Sequence, residues 1–104
     1  LTLNNNRRYV QPMADVFKAL AHPVRRQILK VLRDGPMSAG DLADRFPVSK
    51  PTMSGHFTAL KEAGLIRAER HGTTIRYRLN AGAAEEAIAL LMELTGTRTK
   101  ETDT

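Results

Sequence analysis

The spacing of apolar residues changes at Gly64, and this change divides the chain into a helical part and an extended part. Before Gly64, apolar side chains recur every three or four positions, as in Val24, Ile28 and Leu32, which is the spacing of a buried helix face. After Gly64, apolar and charged residues alternate through "LIRAERHGTTIRYRL", which is the period of half-buried strands. The break His71-Gly72-Thr73 predicts a turn between two strands. We therefore expect a helical domain that contains one β-hairpin.

Four helices are predicted before the hairpin and one after it. Pro23 and Gly35 delimit the second helix, because proline fits a first helical turn and glycine the position beyond the last. Ser38 and Ser49 precede the third and fourth helices as N-caps. A turn of only about three or four residues joins these two helices, which is a helix-turn-helix pattern. The fifth helix is expected over about residues 83–95.

Length and composition predict a single domain. The chain has 104 residues, 41% of them apolar and 26% charged, as in ordinary globular domains. We expect a mainly α fold with a small β-hairpin, in the order α-α-α-α-β-β-α, over residues 13–96, followed by a polar tail over residues 97–104. Residues 1–12 are expected to be an extension, either flexible or added to a native chain that starts near Met13. Arg7 and Arg8 in it are either an arm that touches phosphate or part of a disordered tail.

The charge balance favours a polyanionic partner. Sixteen Lys and Arg against 11 Asp and Glu give a formal net charge of +5, which favours nucleic acid first and an anionic membrane second. The absence of cysteine excludes disulfides and thiolate metal sites. No apolar run approaches the roughly 18 residues of a membrane span. A cytoplasmic protein that does not enter membranes is expected.

The fourth helix, predicted over about residues 50–63, has two different sides. Met53, Phe57 and Leu60 recur at helical spacing and are expected in the core. The other side is small and polar, which suits the major groove of DNA, because that groove admits one helix whose front reaches base edges. The predicted DNA-binding residues of this recognition helix are Ser49, Lys50, Pro51, Thr52, Ser54, Gly55, His56 and Thr58. Two of them have equally weighted alternatives: an N-cap role explains Ser49, and a hydrogen bond within the domain explains His56.

The hairpin, predicted over about residues 66–79, follows the helix-turn-helix directly and is therefore interpreted as a wing. Its outer face is basic, and a narrow minor groove concentrates negative potential, so Arg70 is the best candidate for insertion there. The predicted DNA-binding residues of the wing are Arg67, Arg70, His71, Thr73 and Arg76.

The last helix has a wider apolar arc than one core contact requires. Part of that arc is expected to pack against a second copy of the chain. The predicted dimer interface consists of residues on the first and last helices: Val16, Phe17, Leu20, Ile88, Leu91, Met92 and Leu94.

No catalytic centre, cofactor site or metal site is predicted. The three histidines fall on separate elements, and none has a partner at the spacing of metal ligands. His22, just before Pro23, is expected to start the second helix. No nucleophile with a base, glycine-rich phosphate loop or pair of carboxylates is present, so an enzyme is not expected.

These patterns together, in "FKALAHPVRRQILKVLRDGPMSAGDLADRFPVSKPTMSGHFTALKEAGLIRAERHGTTIRYRL", resemble the ArsR/SmtB family of bacterial winged helix-turn-helix repressors. The segments "MSAGDLADRF" and "VSKPTMSGHF" are most similar to its metal-independent SdpR-type members. The resemblance implies a homodimer, held by the first and last helices, that binds double-stranded DNA at an inverted-repeat operator near a promoter. It carries DNA contact onto Lys50, Pro51, Thr52, Ser54, Gly55, Arg70 and His71.

The chain differs from the metal-sensing members of that family at both of their metal sites. Their third helix carries Cys-x-Cys where this chain has Ser38, Ala39 and Gly40, and their last helix carries a histidine that is missing here. No residue pattern identifies an effector or a protein anti-repressor. Two alternative functions stay open: a small-molecule or metal sensor with a site outside the family's, involving His22 or Glu93, and a winged-helix module that binds another protein.

Overall fold

The computed structural model describes residues 13–97. Five helices and three strands make up this part of the chain. Their bounds are α1 over residues 13–20, α2 Pro23–Arg33, β1 Met37–Ser38, α3 Ala39–Ala43, α4 Lys50–Glu62, β2 Ile66–His71, β3 Thr74–Leu79 and α5 Ala81–Thr95. The predicted mainly α fold with a β-hairpin is confirmed, and α5 begins two residues earlier than expected.

Side chains cap the helices where the sequence predicts it. The Oγ atom of Ser38 accepts a hydrogen bond from the backbone N–H of Asp41 at 3.1 Å, which opens α3. Nδ1 of His22 accepts from the backbone N–H of Val24 at 3.3 Å and so caps α2. The predicted helix-start role of His22 is therefore confirmed.

The hairpin turns through the two residues Gly72 and Thr73. Gly72 has a φ of 64°, a backbone conformation that residues other than glycine rarely adopt. The strands then pair antiparallel in a continuous register from His71 opposite Thr74 to Ile66 opposite Leu79. The hairpin is thus a regular two-stranded wing with a tight tip.

Strand β1 is the element that the sequence did not predict. It pairs antiparallel with β3, Met37 opposite Tyr77 and Ser38 opposite Arg76, and completes a sheet of order β1-β3-β2. Two residues are too few to produce an alternating pattern. Through this pairing, the wing is joined to the chain directly before α3.

The core lies between α2, α3, α4 and the inner face of the sheet. Phe57 of α4 and Tyr77 of β3 meet there with ring centroids 4.8 Å apart, and burial raises the pKa of the Tyr77 hydroxyl. The largest fully buried side chains are Ile28, Leu42, Met53, Leu60, Leu65 and Ile66. Ala68, which the strand alternation places on the inner face, is exposed although it lies opposite the buried Tyr77.

The two ends of the hairpin are fastened to each other by Asn80. Its backbone N–H donates to the carbonyl of Leu65 at 2.9 Å, and its side-chain Nδ2 donates to the carbonyl of Gly64 at 2.8 Å. The chain therefore leaves α4 and enters α5 at neighbouring points.

Candidate nucleic-acid interface

Helix α4 is divided into a buried side and an exposed side, as predicted. Met53, Phe57 and Leu60 are buried, and they hold the helix against the rest of the domain. With the exception of His56, every predicted DNA-binding residue of this helix is exposed: Ser49, Lys50, Pro51, Thr52, Ser54, Gly55 and Thr58.

The first turn of α4 is ordered by the Ser49 side chain. Its Oγ atom accepts from the backbone N–H of Thr52 at 3.4 Å, and its hydroxyl donates to Oγ1 of Thr52 at 3.0 Å. Pro51 follows in the first turn, where proline suits the helix start. The exposed Lys50 therefore stands on a well-defined helix N-terminus, which carries a partial positive charge.

Gly55 leaves open space in front of the exposed side of α4. A Cβ atom built at Gly55 would meet no other atom within 4 Å. Glycine inside a helix costs roughly 1 kcal/mol of stability relative to alanine. Within residues 13–97, no neighbouring atom comes close enough to Gly55 to require the absence of a side chain.

The wing presents its tip and its outer face to solvent. Arg70, His71 and Thr73 are exposed around the turn, and Arg67 is exposed on β2. Cross-strand pairing sets Arg67 beside Arg78 on the outer face. All four predicted wing residues named here are therefore accessible to a partner.

Glu69 neutralises part of this basic face, a contact that the sequence analysis missed. Its carboxylate accepts a hydrogen bond from Nε of Arg78 at 2.9 Å and lies 3.7 Å from Nε2 of His71. The Arg78 hydrogen bond, with the nearby positive charges, lowers the pKa of Glu69. The available signal was the strand alternation, which places Glu69 on the same face as the neighbouring arginines.

Arg76, the remaining predicted wing residue, points back toward the domain. It is half-buried, and its guanidinium donates to the carbonyl of Pro36 at 3.4 Å. Because Ser38 pairs with Arg76 across β1 and β3, this contact strengthens the third strand of the sheet.

The predicted DNA contact of His56 requires correction. His56 is only 6% exposed to solvent, and its Nδ1 accepts a hydrogen bond from Nε of Arg25 at 3.1 Å. Burial, followed by the charges of His22 and Arg25, lowers its pKa. His56 therefore belongs to the interior of the domain, the alternative that the sequence left open.

The predicted dimer interface also requires one correction. Val16 is 2% exposed and lies in the core of its own chain, so it offers no surface to a partner. Leu20 is half-buried against the same core, and Met92 is half-buried. The remaining predicted residues are exposed: Phe17 at 36%, Leu91 at 48%, Ile88 at 55% and Leu94 at 71%.

Residues 13–97 contain neither a cluster of metal ligands nor a helix that could span a membrane. No three His, Cys, Asp or Glu side chains in that range lie close enough together to hold a metal ion. Over the same residues, no helix combines the length and the apolar character needed to cross a membrane.

Comparison with known proteins places this chain in a family. A model described as a helix-turn-helix domain matches residues 20–69. The transcriptional repressor SdpR of Bacillus subtilis is 45% identical over 76 residues, which cover 73% of this chain and 84% of SdpR.

Solved structures agree in fold. An ArsR-like transcriptional regulator from a Rhodococcus species superposes with a TM-score of 0.77 at 32% identity, over 83% of this chain and 79% of the regulator. The transcriptional repressor BigR from Xylella fastidiosa superposes with a TM-score of 0.61 at 30% identity, over 96% of this chain and 100% of BigR. This chain therefore belongs to the ArsR/SmtB family of winged helix-turn-helix, DNA-binding transcriptional repressors.

Proposed function

We propose that this protein is a cytoplasmic homodimer that represses transcription by occupying an inverted-repeat operator and excluding RNA polymerase. Each α4 enters a major groove, and each wing tip contacts the adjacent minor groove or its phosphates. In dimeric helix-turn-helix proteins the two recognition helices lie about 34 Å apart, one turn of DNA. Neither catalysis nor a bound cofactor is part of this proposal.

The observation that carries the proposal is the exposed side of α4. It combines small polar groups, Lys50 and an open space at Gly55 with a firmly buried opposite side. Lys50 can donate to guanine O6 and N7 or to a phosphate, and Ser54 can pair with more than one base. A groove-bound helix needs this combination of close approach and hydrogen-bonding groups.

The wing supports the same orientation because its exposed tip is basic. Arg70 and His71 stand beside the turn, where they can reach a groove next to the one that α4 occupies. The net charge of +5 adds a sequence-independent attraction to phosphates.

The exposed apolar residues of α5 support the homodimer. Ile88, Leu91 and Leu94 recur at three-residue spacing on one side of that helix, and each remains about half or more exposed in the single chain. Burial of this face against a second copy would stabilise a dimer and also set the distance between two recognition helices.

The test begins with selection of bound sequences from a pool of random duplexes, which should return an inverted repeat. Fluorescence anisotropy on that operator then compares Lys50→Ala and Arg70→Ala with the wild type. We expect each variant to weaken binding by about tenfold or more, as loss of one charged contact does. Loss of a phosphate contact would also reduce the slope of log affinity against log salt by about one.

Matched controls remove one positive charge elsewhere. The control variants are Lys61→Ala and Arg33→Ala. Lys61 lies on the last turn of α4 and Arg33 at the end of α2, and both side chains are exposed and outside the proposed surface. If Lys50→Ala and Arg70→Ala bind no more weakly than these controls, the assigned surface is incorrect. An affinity that hardly changes with salt would favour the alternative of a protein-binding module.

A further inference from the structure

A partly buried polar contact joins α2 to the recognition helix. Nε of Arg25 donates a hydrogen bond to Nδ1 of His56 at 3.1 Å, across 31 positions of sequence. His56 is the one buried polar residue in the part of the chain that the structure describes. Burying a polar group costs free energy unless it is hydrogen-bonded, so removing Arg25 would leave the buried Nδ1 of His56 without its partner.

The position of His56 within α4 relates this contact to the exposed side. Each helical residue rotates the side chain by about 100°, so His56 points about 200° away from Ser54. Met53 and Leu60 flank it along the buried side, but their apolar contacts are not directional. The Arg25 hydrogen bond is directional, and therefore specifies how α4 is rotated and where its front lies.

His22 extends the contact to the beginning of α2. Its ring lies against that of His56 with centroids 4.4 Å apart, while its Nδ1 caps α2 through the N–H of Val24. The first turn of α2 thus supplies both a ring contact and a hydrogen bond to the same side chain of α4.

We propose that Arg25 and His56 are positioning residues for DNA binding: their hydrogen bond fixes the orientation in which α4 presents Lys50 and Ser54 to the major groove. Neither residue is assigned a contact with a base. This inference rests on the proposed function, because it concerns how the DNA-binding surface is held.

The contact also depends on the protonation of His56. Neutral His56 accepts at Nδ1 and carries its proton on Nε2; the imidazolium has donors at both nitrogens and cannot accept from Arg25. Protonation would add a positive charge beside Arg25 and His22. Asp15, Lys18 and Glu62 line a neighbouring cleft with Arg25, and Arg26 is the other charged residue in the first turn of α2.

The test is a double-mutant cycle on the selected operator. His56→Leu removes the acceptor and keeps much of the volume, whereas His56→Gln keeps an oxygen acceptor; Arg25→Met removes the donor. We expect His56→Leu and Arg25→Met each to weaken operator binding by about tenfold, and His56→Gln to remain within about threefold of the wild type. Because both changes break one contact, the double variant should bind no more weakly than the single ones.

A pH series provides a readout that a purely structural role would not change. It is measured in a His71→Gln background, so that the response of His56 is read without the second histidine near the proposed DNA surface. Since burial lowers the pKa of His56 below its ordinary value of 6.5, operator affinity should fall as the pH decreases from about 7.5 to 5.5. The same series with His56→Gln added should show no such fall.

The outcomes separate this inference from the proposed function. A wild type that binds no duplex overturns both. A wild type that binds its operator, with His56→Leu and Arg25→Met equal to it, overturns only the positioning role. Additive losses in the double variant would show that Arg25 and His56 act separately, which also overturns it. Should His56→Leu fail to fold, Arg25→Met and His56→Gln still decide the question through affinity and melting temperature.

Discussion

Helices α4 and α5 are similar in length, with 13 and 15 residues, but they use their apolar residues in opposite ways. Helix α4 buries its large side chains and exposes small polar ones. Helix α5 has only Ala87 buried and leaves Ile88, Leu91 and Leu94 exposed. A helix whose apolar face is covered by its own chain is a finished structural element. One whose large apolar residues remain uncovered keeps a face that a partner can cover, and in α5 this is the proposed dimer contact.

The largest difference between the two helices is expected for leucine truncations. Leu60→Ala in α4 should lower the free energy of unfolding by about 2–5 kcal/mol, because Leu60 is fully buried and leaves a cavity. Leu94→Ala in α5 should change the unfolding of the monomer by no more than about 0.5 kcal/mol. Urea denaturation at several protein concentrations measures both values and separates folding from association.

Equal losses for the two leucines at low protein concentration would remove the distinction. They would mean that Leu94 is as firmly packed within one chain as Leu60 is.

The next difference concerns association. The double variant Ile88→Glu/Leu91→Glu places two charges on the apolar face of α5 and should weaken the dimer by about a hundredfold or more. Because both positions are exposed in the single chain, circular dichroism should retain the helical signal. Sedimentation equilibrium measures the dimer constant.

Ala89→Glu is the matched control for that variant. Ala89 is exposed and lies about 160° around α5 from the centre of the apolar face, so its dimer constant should stay near that of the wild type. A double variant that still associates like the wild type would place the dimer contacts elsewhere.

The smallest difference is expected for two helical glycines. Gly55→Ala in α4 and Gly82→Ala in α5 fit without a clash, since an added Cβ meets nothing within 4 Å at Gly55 and only Oδ1 of Asn80 at 3.7 Å at Gly82. Gly55→Ala should raise stability by about 0.5–1 kcal/mol, and Gly82→Ala by less because it lies in the first turn. Only Gly55→Ala should weaken operator binding. Thermal melts measure the stability of both variants, and fluorescence anisotropy measures their operator affinity. Unchanged affinity for Gly55→Ala would contradict a close approach of DNA at this residue.

Local patterns were sufficient to predict most of the fold. The period-3.6 stripe of Met53, Phe57 and Leu60 identified the buried side of α4, and Ser38 and His22 marked helix starts that the structure confirms. Helical spacing, capping and strand alternation are all determined within a few neighbouring residues, so a single sequence contains them.

Features that depend on distant partners were not predictable in this way. The Arg25–His56 hydrogen bond spans 31 positions, and strand β1 is defined only by its pairing with β3. Val16 shows the same limit, because an apolar stripe indicates burial without indicating whether its own chain or a second copy covers it. For the proposed DNA-binding surface, spacing therefore predicted which side of α4 is exposed, but not what holds that side in place.

The way Asn80 closes the base of the hairpin has a consequence for how wings can differ in length. With the carbonyls of Gly64 and Leu65 both bonded to Asn80, the end of α4 and the start of α5 are held together at the base of the hairpin, independently of its tip. Adding two residues to each strand near Gly72 would extend the tip by about 7 Å and keep every side chain on its original face. The span of DNA that the wing is proposed to contact can therefore be lengthened or shortened in such steps, while both helices keep their places.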